Sequence, residues 1–151
     1  SILKNTLMNI PEAAGIAANQ LGINERIIVY RLPQSRSPND YFDEPCIIIN
    51  PIIKYKSDEQ YNAWEGCLSI PNIKAVVPRS KVIIISGYNE NCQYVEKQVS
   101  HFHARNIQHE IDHLDGITIL DKQYSHIAVR SELNNGIQIV ADSITNEMGD
   151  F

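Results

Sequence analysis

The stretch Asn106-Ile107-Gln108-His109-Glu110-Ile111-Asp112-His113-Leu114-Asp115-Gly116 does most to restrict what this chain can fold into. Residues four apart stack on one face of an α-helix, so His109 and His113 point the same way. At ~100° per residue, Ala104, Ile107, Ile111 and Leu114 fall on one side, and Phe102, Asn106, His109 and His113 on the other. An apolar stripe opposed by a face of imidazoles describes a helix enclosed on two sides, the central element of its domain. Ser100 is placed to act as N-cap, and Gly116 suits the residue just past the C-terminus.

Two imidazoles at that spacing can bind one divalent metal. Glu110 lies about a quarter-turn round (~100°), where a carboxylate can take a proton from water at the metal and pass it to a leaving group. The plainer reading is a pair of core or surface histidines, because this five-letter pattern also arises by chance.

The remaining segments are mostly strands. Ile2 to Ile10 has helical spacing (Leu3, Leu7, Ile10) and stops at Pro11. Ala13 to Gly22 is small and nearly uncharged. It reads either as a buried turn between helix and strand or as backbone passing close to another group. Arg26 to Leu32 reads as a strand and Pro33 to Pro45 as a polar loop. Cys46 to Asn50 and Ile52 to Lys56 read as two short strands interrupted by Pro51, and Ser57 to Asn62 as a polar turn. Ile73 to Val77, Lys81 to Tyr88 and Gln93 to Val99 complete the strands, the last two joined by the hairpin signal Asn89-Glu90-Asn91. A run of strands with one long helix near the end predicts an α+β fold, antiparallel β-sheets packed around a central metal-binding helix.

At 151 residues a single domain spanning 1–151 is expected. The chain begins at Ser1 rather than Met, which fits a missing leading segment. A formal charge of −5 argues against nucleic acid or an anionic membrane as main partner. No run approaches the ~18 apolar residues of a membrane span, and no signal peptide is visible. Cys46, Cys67 and Cys92 are odd in number and widely spaced, which argues against a disulfide framework and for a reducing compartment. Cys46 begins an apolar run and should be packed, whereas Cys92 should be exposed at a turn. Trp64 either flanks the mouth of the site or seals the sheet.

A catalytic metal site usually has three protein ligands and one open position. A third histidine six residues after the second would be Ile119, so that arrangement fails. A glutamate about twenty residues downstream would be Glu132, as in a His-Glu-x-x-His metallopeptidase. The other candidate is Cys67, in Trp64-Glu65-Gly66-Cys67-Leu68-Ser69-Ile70-Pro71. A thiolate suits a borderline-soft ion, although a lone cysteine is more often a small buried hydrophobe.

Ala13 to Gln20, Glu65 to Ser69 and Gln108 to Gly116 together resemble the motifs of the peptide deformylases. The second and third match throughout, in the family's order. The resemblance implies Cys67, His109 and His113 as metal ligands. Iron(II) is the usual ion in the cell, with zinc, nickel or cobalt able to replace it. It implies hydrolysis of the N-formyl group from the initiating methionine of newly made polypeptides, releasing formate. Glu110 would be base and then acid. Gln20 and the backbone N–H of Leu68 would receive the developing oxyanion. Backbone near Gly15 and Gly66 would pair with the peptide as an added strand, and Phe102 and Asn106 would face its side chain. The partners implied are N-formylated nascent peptides, and the place is the cytoplasm or an organelle matrix.

Some positions depart from the family's pattern. Ala13 and Ala14 stand where a glycine and an aliphatic residue are usual, Asn19 where proline is common, and Asn106 where something less polar is usual. An amide at 106 sits poorly against a methionine side chain unless it finds its own partner. These departures keep open a family member that binds peptides with little turnover, or a structural metal module. Tyr124 to Phe151 holds one Arg, no Lys and four acidic residues (Glu132, Asp142, Glu147, Asp150), so ribosome docking through a basic tail is not expected. His101, His103 and His126 match no role and are expected at the surface.

Overall fold

The computed structural model describes residues 2–11, 13–122, 127–131 and 136–139, with backbone alone at 71 and in the last two ranges. In chain order the elements are α1 (Ile2–Met8), β1 (Gly15–Ala17), a 3-10 turn (Ala18–Leu21), β2 (Ile27–Leu32), β3 (Phe42–Lys56), β4 (Gln60–Cys67) and β5 (Ile70–Ser80). There follow β6 (Val82–Tyr88), β7 (Tyr94–Ser100), α2 (His101–Leu114), β8 (Ile127–Ser131) and β9 (Gly136–Ile139). The chain divides into two units, Ser1–Glu59 with Ser80–Gly116, and Gln60–Arg79 with Ile117–Phe151. The chain is α+β with antiparallel pairing, as expected; both helices belong to the first unit, and the described elements of the second are strands.

The first unit is built on a five-stranded sheet of order β1-β2-β3-β6-β7. Side chains alternate across a strand, and β2 shows the consequence. Ile28 and Tyr30 join Ile48, Ile83, Ile85 and Val99 on one face, where they meet Ala104, Ile107 and Ile111 of α2. Val29 points the other way, into a second cluster with Ile16, Ala13, Ala18 and the α1 residues Leu3 and Leu7. The apolar stripe read from the helical wheel is therefore the face that α2 lays on the sheet. Burial on this scale contributes roughly 1.5–3 kcal/mol per large side chain.

Several elements differ from the sequence expectation. β3 is one strand of 15 residues, not two. Pro51 lies inside it, at a register shift between Ile49 and Ile52, and Asn50 beside it takes a positive φ of 51°. A bulge accommodates a residue that cannot donate to the ladder. The loop after Pro33 ends where β3 begins at Phe42, and the turn after Ser57 ends where β4 begins at Gln60. Ala13 to Gly22 is not a simple turn but a short terminal strand followed by a 3-10 turn.

The β6–β7 hairpin forms as expected, with the Asn89 side-chain oxygen accepting from the backbone N–H groups of Asn91 and Gln93. Ser100 occupies the N-cap position of α2 with extended backbone but makes no capping hydrogen bond. Its hydroxyl lies 3.1 Å from Nδ1 of His101 instead. Gly116 follows the helix with φ 76°, the left-handed conformation that suits glycine there.

His101 is exposed, as expected, but His103 is not a surface residue. It is half-buried, with Nε2 3.0 Å from the Tyr30 hydroxyl and its ring against Tyr30 and Phe42. The reason is helical spacing: residue 103 lies one turn before Ile107, over the apolar stripe. His126 lies outside the described residues. None of the three cysteines is in a disulfide; Cys46 packs against the core and Cys92 is exposed.

The second unit carries a four-stranded sheet of order β4-β5-β8-β9, in which Ile73 pairs with Val129 and Ala128 with Ile139. Ala75, Val77 and Ile119 form its small apolar cluster, with Ile70 against it. Glu65 on β4 and Arg79 on β5 form a buried two-pronged ion pair, with N···O distances of 3.0 and 2.9 Å. No helix among the described residues is long and apolar enough to cross a membrane.

Candidate metal centre

α2 presents His109 and His113 with their Nε2 atoms 3.0 Å apart and the rings nearly perpendicular, at 79°. His113 is buried and His109 half-buried. Glu110 is almost wholly enclosed, and its Oε1 stands 3.7 Å from Nε2 of His109. A buried carboxylate beside the His109 ring is placed where it can exchange protons with a water at the site.

Cys67 ends β4, and it completes a group with His109 and His113 in which the three ligand atoms all lie within 4.8 Å of one another. A tetrahedral ion with bonds of about 2.1 Å to nitrogen and 2.3 Å to sulfur holds such atoms roughly 3.4–3.6 Å apart. Two imidazoles and one thiol grouped in this way are the donor types that suit a divalent, borderline-soft metal. Glu132, the rival third ligand, lies outside the described residues.

The residues around this group are held from several sides. Gln108 fixes the helix: its Nε2 donates to the Ser80 carbonyl at 2.9 Å and to the Ala104 carbonyl at 3.1 Å, and its Oε1 accepts from the Ser80 N–H at 3.3 Å. Gln20 sits in the 3-10 turn with Oε1 accepting the Ala17 N–H at 2.8 Å. Its amide oxygen being committed, any oxygen that Gln20 receives is received by Nε2. Leu68 follows the last residue of β4 and is 44% exposed. Phe102 lies on the same helix face as His109, its ring 5.1 Å from the Arg36 guanidinium carbon.

Gly15 and Asn106 meet beside Glu110. A Cβ on Gly15 would stand 3.0 Å from Cγ of Glu110 and 3.1 Å from Oδ1 of Asn106. Of the two readings open for the small-residue segment, this is the close backbone approach. Gly66 is less confined, since the nearest atoms a Cβ there would meet are those of the flexible Lys74 side chain, at 3.4 Å. Asn106 has found partners: its Nδ2 donates to the carbonyls of Ala14 at 3.0 Å and Arg31 at 3.1 Å. Sequence reasoning missed Arg31 altogether. The available signal was a lone charge in Ile27-Ile28-Val29-Tyr30-Arg31-Leu32, where every neighbour is apolar.

A family model for polypeptide deformylase matches residues 2–128. The chain belongs to the polypeptide deformylase family. Among curated members, peptide deformylase 1 of Bordetella pertussis is 38% identical over 109 residues, covering 70% of this chain and 60% of that one. The peptide deformylase of Microchaete diplosiphon is 37% identical over 131 residues, covering 86% and 68%. Among solved deformylases, that of Thermotoga maritima superposes with a TM-score of 0.67 at 36% identity over 80% of each chain. The class I type b enzyme of Acinetobacter baumannii bound to Met-Ala-Ser gives 0.71 at 30% identity, over 80% of this chain and 76% of that one. The chain spans 60% and 63% of the length of the curated deformylases from Bordetella pertussis and Ralstonia nicotianae.

Proposed function

We propose that this deformylase-family chain removes the N-formyl group from the N-terminal formyl-methionine of newly made polypeptides and releases formate. The observation that carries the reading is the donor set itself, one cysteine and two histidines grouped within 4.8 Å, with the buried Glu110 beside His109. Family membership supports the same conclusion. So does the Acinetobacter relative, whose bound peptide begins with methionine.

Cys67, His109 and His113 would hold a divalent ion, which would supply the Lewis acidity that acidifies water and polarises a carbonyl. We assign iron(II) as the ion used in the cell, with zinc, nickel or cobalt able to occupy the site. The protein's own groups do the rest. Glu110 accepts the proton of the attacking water and returns it to the departing amine nitrogen, so the peptide leaves with a neutral N-terminus. Nε2 of Gln20 and the backbone N–H of Leu68 donate to the formyl oxygen as it gains charge. Removing one such donor typically costs ~100- to 1000-fold in rate.

β1 is the terminal strand of its sheet. Backbone at Gly15 can therefore take the peptide as an added strand, a mode that tolerates many sequences, and Gly66 offers the same on β4, the terminal strand of the other sheet. Phe102 and the Oδ1 side of Asn106 face the first side chain. The cytoplasm or an organelle matrix is the compartment this role requires.

The test is release of formate from formyl-Met peptides after anaerobic iron(II) loading, since oxygen attacks both a ferrous ion and its thiolate ligand. Glu110→Ala should abolish release while metal analysis finds the ion still bound. Full activity in that variant would reject the mechanism.

A further inference from the structure

We propose that Asn19 and Asn106 are positioning residues. They tie both ends of the Gly15–Gln20 segment to α2, and so fix the peptide-pairing strand and the Gln20 amide relative to His113 and Glu110. The inference rests on the deformylase reading above.

Asn106 is buried in the middle of a helix, where an unsatisfied amide is destabilising. Both hydrogens of its Nδ2 are used, one on the carbonyl of Ala14 and one on that of Arg31. Arg31 gathers the chain that leads into β1. Its backbone N–H donates to the Ala14 carbonyl at 2.8 Å and its Nε to the Ala13 carbonyl at 2.9 Å. Its Nη2 reaches the carbonyls of Ile10 and Leu7, at 2.6 and 3.2 Å. The backbone carbonyls just before β1 are thus held by one guanidinium and one helix amide. Gly15, the next residue, is set against Glu110 at a separation that leaves no room for a methyl group.

The other end of the segment is tied in the same way. Nδ2 of Asn19 donates to the backbone carbonyl of His113, which also accepts the N–H of Gly116. That carbonyl belongs to the last turn of α2, whose carbonyls lack intrahelical partners. Gln20 follows Asn19 directly and is itself braced on the Ala17 N–H. The two attachment points, residues 106 and 113, stand about 10.5 Å apart along the helix at 1.5 Å per residue. A short segment anchored at both ends of such a span has little freedom to slide.

The two ends govern different steps. The Asn106 end sets β1, where a peptide adds as a strand, so its loss acts on binding. The Asn19 end sets Gln20, which meets the oxygen as charge develops, so its loss acts on the chemical step. A general loss of structure would not separate the two constants in this way.

The experiment compares Asn106→Leu, nearly the same shape without the donor, and Asn19→Ala with the wild type. Formate release, metal content and hydrogen exchange of the backbone amides in residues 14–21 are measured on each. Displacements of about 1 Å can cost ~100-fold. Asn19→Ala should therefore lower kcat by about 10- to 100-fold with KM within about twofold. Asn106→Leu should raise KM about tenfold with the smaller effect on kcat. Both should speed exchange in 14–21 with metal content unchanged. Parallel changes of both constants in both variants, or wild-type exchange in 14–21, would overturn the assignment. Should Asn106→Leu fail to fold, Asn106→Ser with its single donor replaces it and should give a smaller rise in KM. A wild type that releases no formate sinks the functional reading instead, and the exchange data then decide the attachment alone.

Discussion

Gly15 has no side chain, and the reason lies about 3 Å away. A Cβ there would press on Cγ and Cδ of Glu110, at 3.0 and 3.1 Å, and on Oδ1 of Asn106. Gly15→Ala should leave the metal in place, because no ligand is touched. It should cost roughly 1–3 kcal/mol of stability by overpacking and displace the carboxylate that moves the proton. We expect formate release to fall at least about tenfold, measured with the metal content and the melting temperature of the same sample. Undiminished release would show that Glu110 yields without loss of function. The sequence made Gly15 legible because small residues in a row signal close backbone approach. Asn106 was harder. A helical wheel gives the direction of a side chain but not its partners, and the carbonyls that satisfy this amide come from residues 14 and 31, far away in the chain. Arg31 shows the same limit: a lone charge in an apolar strand marks it, but the backbone oxygens it collects cannot be read from the sequence.

At the scale of elements, α2 was readable because its period, its metal face and its final glycine agree, and the β6–β7 hairpin because its turn residues are decisive. β4 is absent from the sequence reading, since Gln60-Tyr61-Asn62 looks like a turn and becomes strand only by joining the sheet beside β5. The seam between α2 and the sheet carries a prediction of its own. His103 of α2 faces Tyr30 of β2, Phe42 of β3, Lys97 of β7 and Asp40 in the loop before β3. Burial, aided by Lys97 and opposed by Asp40, lowers its pKa from 6.5 to about 4. Tyr30 is held protonated by its own burial and can donate its hydroxyl to the neutral ring. As pH falls below 6.5 the unfolded chain binds a proton at residue 103 before the folded chain does. This contribution to stability is therefore complete above about 6.5, declines as pH falls toward 4, and is flat below that. Melting temperatures followed from pH 7 to 4.5 should drop less steeply in His103→Asn than in the wild type. Equal slopes would mean that the ring binds its proton as readily in the folded chain as in the unfolded one.

For the whole molecule, the composition set limits without choosing a function, and the choice came from three short motifs spread along the chain. Two of the proposed ligands share a helix, but the third lies roughly forty residues earlier, so an ion that binds all three closes a long loop in the folded state alone. Such an ion stabilises the fold by mass action, by about 4 kcal/mol when its free concentration is 1,000 times its Kd. Chelation should thus lower the melting temperature of the wild type by many degrees and abolish formate release, both restored by iron(II) added without oxygen. The same measurement separates the two candidates for the third ligand. Cys67→Ala should melt at the chelated temperature from the outset, hold little metal, and no longer respond to the chelator. Glu132→Ala should hold a full equivalent of metal and respond as the wild type does. A metallopeptidase site built on Glu132 requires the reverse for both variants. If metal follows Glu132 and not Cys67, the thiolate is only a core residue and the deformylase mechanism loses its third ligand.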